Sequence, residues 1–204
     1  MIPKDWSGIN IKQFVQLYPT FKIGDMTNTE IIDNKIKQLS IIKGISLKEA
    51  ELCTTIEANK VKLLMETELP TRIRKHFKIN GITYRFNINA NELDSSGYVG
   101  IMNSIKDDPI RNMHATMFNL ATPVKYSWLR AKFIPYEFKP SEVEERMEDF
   151  KRMPINIAYP IGVFFLNLSK NLIPVTEDYL RESLMKMNQE LKETKEDLLS
   201  MDGQ

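Results

Sequence analysis

Three residues carry side chains suited to nucleophilic, acid–base or metal chemistry near neutral pH: Cys53, His76 and His114. A metal centre needs several such groups, or carboxylates, to converge at fixed spacing. The two histidines fall on different expected elements and the cysteine is single. Cys–His catalysis would further require a thiolate, which the apolar helical context of Cys53 disfavours, so Cys53 is read as a core residue. The pair Asp107-Asp108 is no better placed for acid–base work, because sequence neighbours seldom converge on one substrate atom. It reads instead as a turn that caps a helix beginning near Ile110. Gly97 and Gly100 lack the spacing and the lysine of a phosphate-cradling loop. No catalytic residue, metal or cofactor is therefore expected, and the chain reads as a non-enzyme.

What remains is binding. Arg72, Arg74, Lys75, His76 and Lys78 stand beside Phe77, Tyr84 and Phe86, a composition that meets phosphates with cations and bases with rings. Strand alternation, however, puts Arg74, His76 and Lys78 on the face opposite Phe77 and Ile79. A buried aromatic face and a solvated basic one is the favoured reading, with nucleic acid the lesser one. The aromatic runs from Tyr126 to Phe138 and from Tyr159 to Phe165 suit an interface, but are read as core. Near the C-terminus, Leu180, Leu184, Met187, Leu191, Thr194, Leu198 and Met201 recur at spacings of four and three among charged residues. That is a heptad seam. A partner helix or a second copy of the chain is expected to cover it.

The elements that must position these groups are mostly helical. Asn10 can cap a short helix carrying Ile11, Phe14, Val15 and Leu17, ending before Pro19. A second runs from Thr27 or Asn28 to Lys43, with Ile31, Ile32, Ile36, Leu39 and Ile42 expected inward and Gly44 beyond its end. Ser46 and Glu49 have capping-box spacing before a short helix with Leu47, Ala50 and Leu52. Thr55 to Leu69 follows, with Ile56, Val61, Leu64 and Met65 inward, and halts at Pro70. Phe77 and Ile79, then Ile82, Tyr84 and Phe86, alternate with polar residues around Asn80-Gly81, predicting a hairpin near 73–87 with a type I′ turn. A helical pair, the first with Tyr98, Ile101, Met102 and Ile105 and the second from Ile110 to Leu120, comes next. Lys125 to Pro140 has no clean period and is expected to be irregular or to hold a short strand. Ser141 and Glu144 repeat the capping-box spacing before a helix ending near Arg152, and Pro154 opens another reaching about Leu172.

At 204 residues, 42% hydrophobic and 27% charged, the chain has the composition of an ordinary globular protein. Its 28 Lys and Arg against 27 Asp and Glu leave a net charge of +1, so no global field favours nucleic acid or an anionic membrane. The start of the chain lacks a signal-peptide pattern and the lone cysteine forms no internal disulfide, so a cytosolic setting is expected. The longest apolar stretch, Ile155 to Leu168, is interrupted by Asn156, Pro160, Gly162 and Asn167 and falls short of the roughly 18 residues that span a bilayer. The expected fold class is α+β, mainly α. One helical domain, 1–173, contains the central hairpin, and an amphipathic or coiled-coil helix, 174–204, protrudes.

The order of segments adds a resemblance. Trp6 precedes I-N-I-K-Q-F-V-Q-L-Y, followed by D-N-K-I-K-Q-L-S-I-I-K-G and a capped S-L-K-E. Then come G-I-T-Y-R-F-N-I-N-A-N-E-L, S-S-G-Y-V-G-I-M-N-S-I-K-D, N-M-H-A-T-M-F-N-L-A-T-P-V-K and F-I-P-Y. Across Trp6 to Leu172 this order resembles the phage tail assembly chaperones of Bacteroides-type phages. The resemblance implies a protein of the host-cell cytoplasm that binds a long helical tape-measure protein and keeps it soluble until the tail tube polymerises around it. Two other readings share the absence of chemistry: a structural virion component, such as a connector or packaged cargo protein, and a nucleic-acid-binding factor using Arg72, Arg74, Lys75 and Lys78. A homo-oligomer is compatible with the first two.

Overall fold

Four helices in the first third of the chain start with the same local chemistry. In the computed structural model, which describes residues 1–21, 26–87, 95–127 and 132–167, each begins with a reciprocal capping box. Asn10 with Gln13 opens α1 (Ile11–Leu17), and Thr27 with Glu30 opens α2 (Asn28–Lys43). Ser46 with Glu49 opens α3 (Leu47–Glu51), and Thr54 with Glu57 opens α4 (Thr55–Glu66). In each, two backbone N–H groups that a helix start leaves unpaired find side-chain acceptors. Gly44 ends α2 in the left-handed region at φ 65°. The last of these helices stops at Glu66, three residues before the expected Leu69.

The hairpin forms as expected. β1 (His76–Ile79) pairs antiparallel with β2 (Ile82–Phe86), with Ile79 opposite Ile82 and His76 opposite Arg85. Asn80 and Gly81 have φ of 46° and 81°, the two positive values a type I′ turn requires. Beyond expectation, two further strands extend the hairpin. β3 (Ala121–Ser127) pairs with β2, and β4 (Lys132–Pro135) pairs with β3, giving a four-stranded antiparallel sheet in the order β1-β2-β3-β4. The segment expected to be irregular or to hold one short strand thus holds the end of β3 and all of β4.

Between β2 and β3 lie α5 (Ser95–Asp107) and α6 (Met113–Leu120), packed together as a helical pair. The second starts at Met113 rather than Ile110. Asp108 accepts hydrogen bonds from the N–H groups of Ile110 and Arg111 at 3.1 and 2.9 Å, which closes a turn before the helix can begin. The Ser141–Glu144 capping box is absent. Pro140 opens a 3-10 turn, Pro140–Glu142, that leads straight into α7 (Val143–Asp149) without a side-chain cap. After a second 3-10 turn, Phe150–Arg152, residues 155–167 form α8 behind Pro154. The chain divides into a compact unit, Met1–Phe164, and a second, Phe165–Gln204. The expected extension to Leu172 and the helix of 174–204 lie outside the described residues.

Aromatic packing closes one face of the sheet. Phe77, Tyr84 and Phe86 are buried on that face, and Phe150 meets Phe77 and Tyr84 edge-on with ring centroids 5.7 and 5.0 Å apart. Phe118 of α6 takes the same ring edge-on at 5.5 Å, so Phe150 joins sheet and helices. Burial pushes the Tyr84 hydroxyl up to about 12, because the phenolate would lose its hydration. The hairpin tip is tied down too: the Asn80 amide donates to buried Asp149 at 2.6 Å, and Arg146 pairs with the other carboxylate oxygen. At the N-terminus, buried Trp6 donates from its indole N–H to the Thr67 carbonyl at 2.8 Å and packs against Phe14, which touches Tyr159 of α8. The run from Tyr159 onward accordingly contributes Ile161 to the core.

The turn supplies a direct test. Nothing lies within 4 Å of a Cβ built on Gly81, so Gly81→Val costs only backbone strain at φ 81°. A β-branched residue there should destabilise the fold by about 1–2 kcal/mol, lowering Tm by roughly 2–8 °C in thermal unfolding. An unchanged Tm would mean that the type I′ turn is not formed.

Candidate binding surfaces

The residues with chemical potential are kept apart. Cys53 is only half-buried, not a core residue, because the turn after α3 carries it to the surface edge. Its partners are the Lys43 ammonium, 3.3 Å from the sulfur, and the Glu49 carbonyl, not an imidazole. Lys43 bonds Glu57 at 2.7 Å. That hydrogen bond raises the lysine pKa and lowers that of the carboxyl, since each charge favours the other. His76 stacks on Phe133, while His114 lies in a separate groove on α6 beside Lys12, Arg111 and Lys151. Among the described residues, no group of three His, Cys, Asp or Glu is placed to hold a metal ion. Gly100 has a packing role: a Cβ there would sit 2.8 Å from the Asn119 amide nitrogen on the facing helix.

Two exposed surfaces stand out instead. The first belongs to α2, α3 and α4. Ile31, Ile32 and Ile56, expected inward, are exposed, as are Leu47, Leu52 and Leu63. Only Leu39, Ile42, Ala50, Val61 and Leu64 of this segment are buried core. Helical period identifies an apolar stripe, but the stripes here are wider than the surface available to cover them. Among the described residues, every exposed isoleucine or leucine lies between Ile31 and Leu63.

The second surface is the sheet face turned away from Phe150. As alternation dictates, His76 and Lys78 project opposite buried Phe77 and Ile79. Arg72, Arg74 and Lys75 lead into β1 and are also exposed. The third and fourth strands add what the sequence did not disclose. Tyr126 and Phe133 are cross-strand partners, 42% and 41% exposed, with rings edge-on at 5.4 Å, and His76 stacks on Phe133, whereas Tyr136 lies on the other face with Phe138. A hollow of about 600 Å³ lies among Thr83, Val124, Lys125, Tyr126, Phe133 and Tyr136. The seam residues Leu180, Leu184, Met187, Leu191 and Leu198 lie outside the described residues.

No family model, curated protein or solved structure matches the chain. Among the described residues, no helix is long and apolar enough to cross a membrane.

The His114 groove makes a pH prediction. Burial, reinforced by the Lys151 charge against the weaker opposing pull of Glu148, holds His114 below its usual imidazole value. A base whose folded pKa is depressed contributes stability that is whole above its unfolded pKa, about 6.5, and lost as pH falls from there toward the folded value. The carboxyls of Glu49, Glu57 and Glu148 are held below 4.5, so their contributions fade only at lower pH. Urea midpoints should therefore fall between about pH 7.5 and pH 5, and His114→Gln should flatten that slope. An equal slope in the variant would assign the pH dependence to other groups.

Proposed function

We propose that this chain is a non-enzymatic binding protein that holds a helical client during assembly, in the manner of a phage tail assembly chaperone with its tape-measure protein. The supporting observation is the concentration of exposed Ile31, Ile32, Leu47, Leu52, Ile56 and Leu63 on three adjoining helices. Aliphatic side chains left in water by helices with well-formed caps are a surface that an amphipathic client helix can cover. A tape-measure protein is long, helical and apolar along its seams, so it aggregates unless such surfaces shield it. Each large side chain that a client buries contributes roughly 1.5–3 kcal/mol before the cost of association. A heptad seam at Leu180, Leu184, Met187, Leu191 and Leu198 would add a second apolar surface, for the same client or for another copy of the chain.

Replacing Ile32, Leu52, Ile56 and Leu63 together by serine removes the apolar surface while sparing the core. Co-expressed with a tape-measure protein, the unaltered chain should keep it in the soluble fraction and be absent from finished particles by mass spectrometry. The serine variant should fold with an unchanged circular dichroism spectrum and leave the client in the pellet. Retention of the client by the variant would move the binding surface elsewhere, and stoichiometric presence in finished particles would favour a structural virion component.

A further inference from the structure

The groove that holds His114 gathers cations from three elements. Lys12 of α1, Arg111 and His114 at the start of α6, and Lys151 of the 3-10 turn Phe150–Arg152 line a hollow of about 290 Å³. Ile11 and Val15 give it an apolar side. Both α1 and α6 pack on that 3-10 turn, and the Ile11 N–H donates to the Met153 carbonyl at 2.9 Å. Packing and backbone bonding thus hold together the elements that carry these charges.

Charge in the groove is unbalanced. Among the described residues, the four ion pairs join Lys43 to Glu57, Lys62 to Glu66, Arg146 to Asp149 and Lys151 to Glu148. Lys12 and Arg111 take part in none of them. Glu148, 2.6 Å from Lys151, is the carboxylate these groups share, since the Lys12 and His114 charges also act on it. Asp108 does not line the groove and accepts from the Ile110 and Arg111 N–H groups. Three cations and one carboxylate leave two positive charges while His114 is neutral. The start of α6 adds to them, because it has no side-chain cap and Asn112 turns its amide back to the Ser104 carbonyl, leaving the positive end of the helix dipole unanswered. Burial and the Lys151 charge keep the His114 imidazole from protonating. A half-buried imidazole in this company gains a favourable charge partner only when an anion arrives.

From this juxtaposition we infer that the groove binds phosphate, free or as the monoester of a small molecule, with Lys12, Arg111 and Lys151 on its terminal oxygens and His114 as a further donor. A phosphate monoester carries close to two negative charges at pH 7, which matches the surplus of the groove. Its three terminal oxygens can accept from cations on three elements, whereas a carboxylate offers two oxygens and one charge. The hollow is at the small end of the range for ligand sites, so it suits a phosphate with a compact organic group against Ile11 and Val15. Binding takes up a proton, because the bound dianion favours the imidazolium. Affinity for a permanent dianion therefore rises as pH falls, until His114 is protonated without it. None of these residues belongs to the aliphatic surface of α2 to α4, so either surface can fail without the other.

Calorimetric titration and NMR of the imidazole protons test this on the intact chain, with inorganic phosphate, glycerol phosphate, sulfate and acetate as probes. Sulfate stays doubly charged throughout and isolates the proton taken up by His114. At about 20 mM salt both phosphates should bind saturably with a Kd on the order of 1 mM or below, and acetate at least about tenfold more weakly. Tighter binding of glycerol phosphate would identify the ester as the source, and equal binding the free ion. The His114 signal, identified by His114→Gln, should shift and titrate at higher pH with sulfate present, while that of His76 is unmoved. Lys12→Gln with Arg111→Gln should weaken phosphate binding by about tenfold or more, and Glu148→Gln should strengthen it, each with unchanged circular dichroism. Failure of both phosphates to bind saturably, acetate binding as tightly as phosphate, an unmoved His114 signal, or indifference to Lys12→Gln with Arg111→Gln overturns the inference.

Discussion

The ring of Phe150 is the contact on which the described structure depends. It receives Phe77 and Tyr84 from the sheet and Phe118 from α6, all edge-on. Such pairs add to the area their rings bury, and removing a phenylalanine of this kind costs about 3–5 kcal/mol. Its position follows from the chain around it. The helix that precedes it ends in a 3-10 turn, Phe150–Arg152, and the Met153 carbonyl then accepts from Ile11 while Ile155 donates to Ile9. Phe150 is thus anchored from the N-terminal segment and α8 on one side while it carries the sheet on the other.

A sheet held by one aromatic face has another face to spend. The inner rings close one face, while on the other Val124 is also buried and His76 of β1 stacks on Phe133 of β4. The outer face also carries Lys78, Arg85, Tyr126 and no acidic group, whereas the exposed isoleucines and leucines of the described residues gather on and between α2, α3 and α4. Exposed aliphatic side chains and the cations of the sheet are therefore carried by different elements.

Local signals were legible and non-local ones were not. Asn80-Gly81 announced the hairpin because a type I′ turn needs positive φ at both residues and few dipeptides supply it. The capping box at Ser46 and the cap at Asn10 marked helix starts for an equally local reason, whereas the second expected box, at Ser141, fails because Pro140 already commits the chain to a tighter turn. The pairing of β3 with β2 spans the whole α5–α6 excursion and leaves no pattern in a window of a few residues; Pro123 and Pro135 further disguise the two strands. Exposure was least legible. Helical spacing placed Ile31, Ile32, Leu52 and Ile56 on apolar stripes, but only the fold decides whether another element reaches them. Cys53 was misplaced in the core for the same reason. The aromatic run holding Tyr126 and Phe133 was read as core, although the absence of acids from 71–87 and 121–136 was there to be noticed.

Hydroxyl-radical footprinting of the intact chain, read by mass spectrometry, reports most directly on a sheet closed on one face and open on the other. Tyr126 and Phe133 should oxidise rapidly under native conditions, while Phe77, Tyr84, Phe86 and Phe150 stay protected until the protein unfolds. Protection of Tyr126 and Phe133 equal to that of Tyr84 would contradict this, because the outer face would then be covered in the folded chain.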